Sequence, residues 1–193
     1  MAAAIRAGHV SAVEVLEAQL AQIAKHNPAL NAIVTKELLV IETPQIVQTT
    51  AQPTAMIRFT IPRSAIQHVM GPGYQELMDT IAAQGIAPAG AWFTHHLRMD
   101  PETFDFELGV PISAPFSATG RVVAGELPAV TLARAVYHGS YEGLSTAWSE
   151  FDAWLTSEGH TPGPNLWESF VAGPESSPDS ANWRTELNRP LAR

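Results

Sequence analysis

Apolar positions along this 193-residue chain switch repeatedly between helical and strand periods. In the first segment Val13, Leu16, Leu20 and Ile23 recur at helical spacing. Ser11 and Glu14 form an S-x-x-E capping box ahead of them, and Asn27-Pro28 ends the helix. From about Glu37 the pattern turns β-rich: LLVIETPQIVQTT and TAMIRFTIP, interrupted by Pro44 and Pro53. Pro72 and Gly73 then precede Tyr74, Leu77, Met78 and Ile81, an amphipathic helix closed by Gly85. AWFTHHLRM and FDFELGV follow as strands. The order then repeats. GRVVAGELPAVTLARAVYH is strand-like, Leu144, Trp148, Phe151 and Leu155 form an amphipathic helix closed by Gly159, and NLWESFVA and TELNRPL read as strands.

The two passages also match in detail. Tyr74 followed by Leu77 recurs 67 positions on as Tyr141 followed by Leu144, and Trp92 recurs 75 positions on as Trp167. Glu107-Leu108-x-x-Pro111-Ile112 recurs 79 positions on as Glu186-Leu187-x-x-Pro190-Leu191. Self-similarity of this kind marks a repeated unit, and the growing offsets fit small loop insertions in the second half. The predicted fold is α+β, a pseudo-twofold duplication of a β-α-β-β unit that forms a curved antiparallel sheet with two helices. A helical extension over residues 1–36 precedes a domain over 37–193, whose halves span about 45–112 and 119–191. One unit has a single helix over one sheet face and cannot enclose a ligand; two facing units can.

Composition narrows the function. Hydrophobic residues make up 46 % of the chain and charged residues 16 %, which suits a globular protein with apolar surface left for a pocket or an interface. The net charge is −8 and lysine occurs only at Lys25 and Lys36, so the basic stripe that grips nucleic acid is missing. With no cysteine there is no disulfide or zinc-thiolate chemistry. MAAAIRAGHV lacks the apolar core of a signal peptide and no run approaches a membrane span, so a soluble, cytoplasmic protein is expected. No metal is expected either. His95 and His96 are strand neighbours that point to opposite faces, and His9, His26, His68, His138 and His160 show no ligand spacing. Gly71-Pro72-Gly73 lacks the glycine spacing and lysine of a phosphate loop, and no cofactor is implied.

The candidate chemistry lies in NLWESFVA. Alternation puts Leu166, Glu168, Phe170 and Ala172 on one face and Trp167, Ser169 and Val171 on the other. If the first face looks inward, Glu168 is a carboxylate among apolar groups, and an organic cation or a proton would relieve the cost of burying it. The 75-residue offset matches Glu168 to Phe93, an aromatic opposite a charge, which suits a flat cation. Trp148, Phe151, Trp154 and Leu155 fit core packing of their helix. Tyr137 and Tyr141 flank His138-Gly139, where a hydroxyl could reach a cavity mouth or cap a turn.

Two resemblances add to this. AAAIRAGHVSAVEVLEAQLAQIAKHNPALNAIVT resembles the N-terminal helices of amidase signature enzymes over residues 2–35, without their Gly/Ser-rich catalytic core. FDFELGVPI, GELPAVTLARAVYHGSYEGLSTAWSEFDAWL, GPNLWESF and TELNRPL resemble GyrI-like domains, which also serve as effector-binding domains of AraC-type and MerR-type regulators. That resemblance covers about 45–191. It implies a cavity between two β-α-β-β units that takes hydrophobic, often cationic, compounds, with the acid at Glu168 meeting the ligand. Phe93, Tyr137, Tyr141, Trp167, Phe170 and Trp92 are the aromatic candidates. Phe170 stands where many members carry Tyr, and Trp167 lies on the strand face away from Glu168. Members that act as regulators add a helix-turn-helix module, which this sequence does not show. Some standalone members hydrolyse strained-ring cytotoxic compounds, a role Glu168 could fill as acid/base with Tyr137 or Tyr141, and others inhibit DNA gyrase. Partnership with a protein or with a second copy is left open.

Overall fold

The computed structural model describes residues 40–192. The chain divides into two compact units, Met1–Leu38 and Leu39–Arg193. The helical segment and the amidase-like wording therefore lie outside the described residues.

Nine strands form one antiparallel sheet: β1 Val40–Ile41, β2 Gln45–Gln48, β3 Gln52–Pro62, β4 Phe93–Met99, β5 Thr103–Pro111, β6 Val123–Leu127, β7 Thr131–His138, β8 Leu166–Ala172 and β9 Arg184–Pro190. Helix α1 runs from Ile66 to Ala83 and α2 from Leu144 to Ser157, each preceded by a short 3₁₀ turn, Arg63–Ala65 and Tyr141–Gly143. The strand order is β1-β7-β9-β8-β4-β5-β3-β6, and β2 follows β1 along the same edge of β7. Outward from the central β4–β8 pair the order β4-β5-β3 is mirrored by β8-β9-β7. The fold is the predicted α+β arrangement of two β-α-β-β units.

The outermost strands are exchanged. β2, from the first half of the sequence, pairs with β7, and β6, which sequence reading merged with β7, pairs with β3. Pro128 breaks that merged run. The sequence boundaries near 45 and 119 thus each leave one edge strand on the opposite half.

Helix α1 also begins earlier than expected. Pro72 sits inside it rather than ahead of it. A proline there removes one amide from the helical ladder, while the glycine beside it serves packing: a Cβ on Gly73 would lie 2.9 Å from the Phe59 ring and 3.0 Å from Leu108. Both helices end as read, with Gly85 and Gly159 at positive φ just beyond them.

The helices bury Gly73, Leu77 and Ile81 from α1 and Ala147, Phe151 and Leu155 from α2. Each set repeats every four residues, and the sets stand 74 positions apart, as Leu77 does from Phe151. Leu77 therefore matches Phe151, not Leu144, and the 67-residue offset read from the tyrosines does not survive. Two cores result. Ile57, Phe59, Phe106 and Leu108 pack under α1, and Ala133, Ala135, Tyr137 and Leu187 pack under α2.

The turn that feeds α2 depends on Gly139, whose φ is +146°. A Cβ there would lie 2.4 Å from the Tyr137 hydroxyl. Gly139→Ala is expected to cost about 1–3 kcal/mol through backbone strain and that clash, read as a lowered thermal midpoint.

Candidate functional site

Directly opposed residues of antiparallel strands share a sheet face. One such row crosses the helix-bearing face as Ile57, Leu108, Thr94, Glu168, Leu187 and Ala135. The row is aliphatic except at its centre, where Thr94 of β4 faces Glu168 of β8. Helix α1 packs over β3 and β5, and α2 packs against β7. The central pair is left uncovered between them, and a cavity of about 650 Å³ opens there. That volume suits a drug-sized molecule.

The cavity floor is Trp92, Thr94 and His96 from β4 and its approach, with Leu166, Glu168 and Phe170 from β8. Ile66, Gln67 and Met70 of α1 form one wall, and Leu144, Ser145, Trp148 and Asp152 of α2 form the other. Phe104, Tyr141, Glu142, Arg63 and Arg189 complete the lining. Trp92 and Phe170 stack with ring centroids 4.0 Å apart, and Tyr141 meets Phe170 edge-on at 5.4 Å. Together they give the cavity a continuous aromatic surface.

Glu168 is held by neutral donors. The Trp148 indole N–H donates to Oε1 at 2.7 Å, and the Thr94 hydroxyl donates to Oε2 at 3.1 Å. His96 Nε2 stands 3.8 Å from Oε2, beyond hydrogen-bond reach. Burial pushes the carboxyl up, but His96, Trp148 and Thr94 together outweigh it and hold the group below its ordinary value. The Glu168 side chain is 12 % exposed, toward the cavity it lines.

Both arginines of the lining are engaged elsewhere. Arg189 grips Asp152 with two bonds, at 2.7 and 3.1 Å, and lies over the Trp148 ring at 5.4 Å. Arg63 lies over the Phe104 ring at 4.1 Å and donates to the Asp100 carbonyl. No ion pair joins Glu168 to an arginine or lysine among the described residues. Nor is there a metal-binding cluster of His, Asp and Glu among them.

Of the residues singled out from sequence, Glu168, Tyr141, Phe170 and Trp92 line the cavity. Phe93 and Trp167 do not. Phe93 pairs with Ser169 and Trp167 with His95, all on the sheet face away from the helices. The strand register shows why. Leu108 lies opposite Thr94 and Leu187 opposite Glu168, so the repeat offset here is 74, the distance from Thr94 to Glu168. Matching Trp92 to Trp167 slips the register by one, and a one-residue slip exchanges the two faces. Tyr137 lies on the helix face but is fully buried, its hydroxyl donating to the Ser140 carbonyl at 3.0 Å.

Sequence reasoning missed the three polar groups around Glu168. Trp148 fits core spacing, and nothing in spacing shows its indole N–H. Thr94 was hidden by the slipped register. His96 was weighed only as a metal ligand, although alternation from Trp92 through Thr94 already put it on the cavity face.

A curved sheet with two flanking helices over an aromatic cavity and one carboxylate without an arginine or lysine partner defines a receptor for small organic molecules. Residues 42–192 match the model of the GyrI-like small molecule binding domain, and the chain belongs to that family. Among solved structures it is similar to the EcmrR C-terminal domain, at 21 % identity and a TM-score of 0.69 over 78 % of this chain and 98 % of that one. An EcmrR–DNA complex matches at 19 % identity and a TM-score of 0.70, over 99 % of this chain and 76 % of that one. SAV2435 bound to tetraphenylphosphonium matches at 13 % identity and a TM-score of 0.54, over 78 % of this chain and 94 % of that one. No curated protein matches.

Proposed function

We propose that this domain binds hydrophobic organic cations, with Glu168 as the fixed anion and Trp92, Phe170 and Trp148 as the aromatic enclosure. One observation carries the reading: a buried carboxylate faces a large apolar cavity with neutral donors and no arginine or lysine partner among the described residues. A charge left in that state costs free energy unless it meets a cation. Aromatic faces add cation–π attraction of about 0.5–2 kcal/mol each. The tetraphenylphosphonium held by SAV2435 is a ligand of this chemistry.

The domain acts as an effector receptor or a drug-sequestering protein in the cytoplasm. Support for a regulatory setting is the DNA complex of EcmrR. The net charge of −8 argues that any DNA contact belongs to another module.

The hydrolase alternative needs a second acid/base group. The Tyr141 hydroxyl is buried without a hydrogen-bond partner, packed where a Cβ on Gly173 would meet it at 2.4 Å. Burial, with the Glu175 carboxylate beside it, pushes it up to about 12. A phenol in that state neither takes nor gives a proton readily near neutrality. Tyr137 is committed to Ser140. Binding without turnover is the better reading, and nothing in the geometry favours inhibition of gyrase.

The test is titration with tetraphenylphosphonium and with neutral triphenylphosphine oxide. Glu168→Gln keeps shape and an acceptor for Trp148. It is expected to weaken the cation by about 10- to 100-fold, the worth of a charged hydrogen-bonded interaction, and to leave the neutral compound within a few-fold. Equal loss for both, or none, overturns the assignment.

A further inference from the structure

His96 lines the cavity beside Glu168, and the proposed cation site does not use it. Its ring is 6 % exposed, stacked on Phe106 at 5.6 Å and edge-on to Phe104 at 5.5 Å. Nε2 points toward Glu168 at 3.8 Å, and Nδ1 is buried with no hydrogen-bond partner. No other group fixes a tautomer or holds a proton on this ring. The charge environment of His96 therefore consists chiefly of Glu168. The β5 groups against it are neutral rings, Thr94 on its own strand is neutral, Arg189 of β9 and Asp152 of α2 neutralise each other, and Arg63 and Glu142 are exposed at the mouth.

We propose that His96 is the resident counter-ion of Glu168 and that a cationic ligand takes its place, which makes His96 the residue that sets which ligands the cavity accepts. This rests on the cation site proposed above. The carboxylate can face either imidazolium or the ligand's charge. Holding both puts two positive charges on one buried anion, with like-charge repulsion less screened than in bulk water. Binding a permanent cation then drives a proton from the imidazole to solvent. When His96 is protonated the pair is internally neutral, and the cavity favours uncharged aromatic compounds. When it is neutral the anion is free, and the cavity favours cations.

The sign follows from linkage. The free protein holds more protons than the complex, so cation affinity rises with pH. With tetraphenylphosphonium, whose charge does not titrate, affinity should climb by up to about tenfold per pH unit while His96 loses its proton and then level off. Calorimetry in two buffers of unlike ionisation enthalpy should show close to one proton released per cation at the low end and none at the plateau. That measurement needs no variant. His96→Gln should remove the slope in that range and raise affinity at its acid end, while triphenylphosphine oxide should show no matching rise in the native protein.

Tetraphenylphosphonium binding that Glu168→Gln weakens but pH leaves unchanged, with no proton released, overturns this inference and leaves the cation site standing. A slope that persists unaltered in His96→Gln assigns the proton to Glu168 and also overturns it. Failure of the cation to bind at any pH removes both.

Discussion

Phe151→Ala should destabilise the domain by about 3–5 kcal/mol, the usual result of emptying a fully buried phenylalanine site. Phe151 is 1 % exposed and sits at the middle of the buried stripe of α2, between Ala147 and Leu155. Its ring lies 5.7 Å from Trp148 and 6.3 Å from Trp154. Total stabilities run about 5–15 kcal/mol, so this one change removes a large part of what holds α2 on its strands. Urea unfolding should show a lower midpoint at an unchanged slope. Phe151→Leu keeps most of the volume and should cost under about 1.5 kcal/mol. A loss below 1 kcal/mol for the alanine variant would mean that α2 does not depend on this stripe. Cation binding should weaken with stability, since Trp148, the donor to Glu168, lies one turn before Phe151.

The architecture was legible because periodicity and punctuation agree along most of the chain. The strand and helix order, both helix-closing glycines and the division of NLWESFVA into two faces follow from alternation and turn chemistry alone. What sequence could not supply was register. Trp92 and Trp167 look like repeats of one another, but hydrogen bonding aligns Thr94 with Glu168, and similar residues on adjacent positions carry no record of which strand partner they face. The sequence predicts that helix α1 starts after Pro72, because proline usually marks a boundary. Here Gly73 lets the helix sit close on Phe59 and Leu108, and the packing of Leu77 and Ile81 outweighs one missing amide. Trp148 shows a different limit: a side chain can serve the core with its ring and the site with its N–H, and spacing reveals only the first. Exchange of the edge strands β2 and β6 was beyond reach for a similar reason, since a short run between prolines fits either neighbour.

The asymmetry at the centre of the sheet is what turns a repeated fold into a site, and restoring symmetry tests that. Thr94 and Glu168 occupy matching positions of the two units, 3.1 Å apart at their oxygens. Thr94→Glu would place a second carboxyl against the first, with the cavity giving it room. Two carboxylates within about 4–6 Å in a buried site cannot both stay ionised cheaply, and one is pushed well above its unfolded value near 4.3. The native state then binds more protons than the unfolded chain between those two values, so stability falls as pH rises through that window and stays lowered above it. A rise of two pH units corresponds to about 3 kcal/mol lost at neutral pH. The native protein should lack this loss, because His96, Trp148 and Thr94 outweigh burial and hold its single carboxyl low. Thermal midpoints followed from pH 4.5 to 8 should therefore separate the two proteins progressively toward the alkaline side. A bis-quaternary aromatic cation should close the gap, since two positive charges answer two negative ones. If the curves stay parallel, the floor of the cavity is wetter than its lining implies, and Glu168 is not held as a lone anion awaiting a ligand.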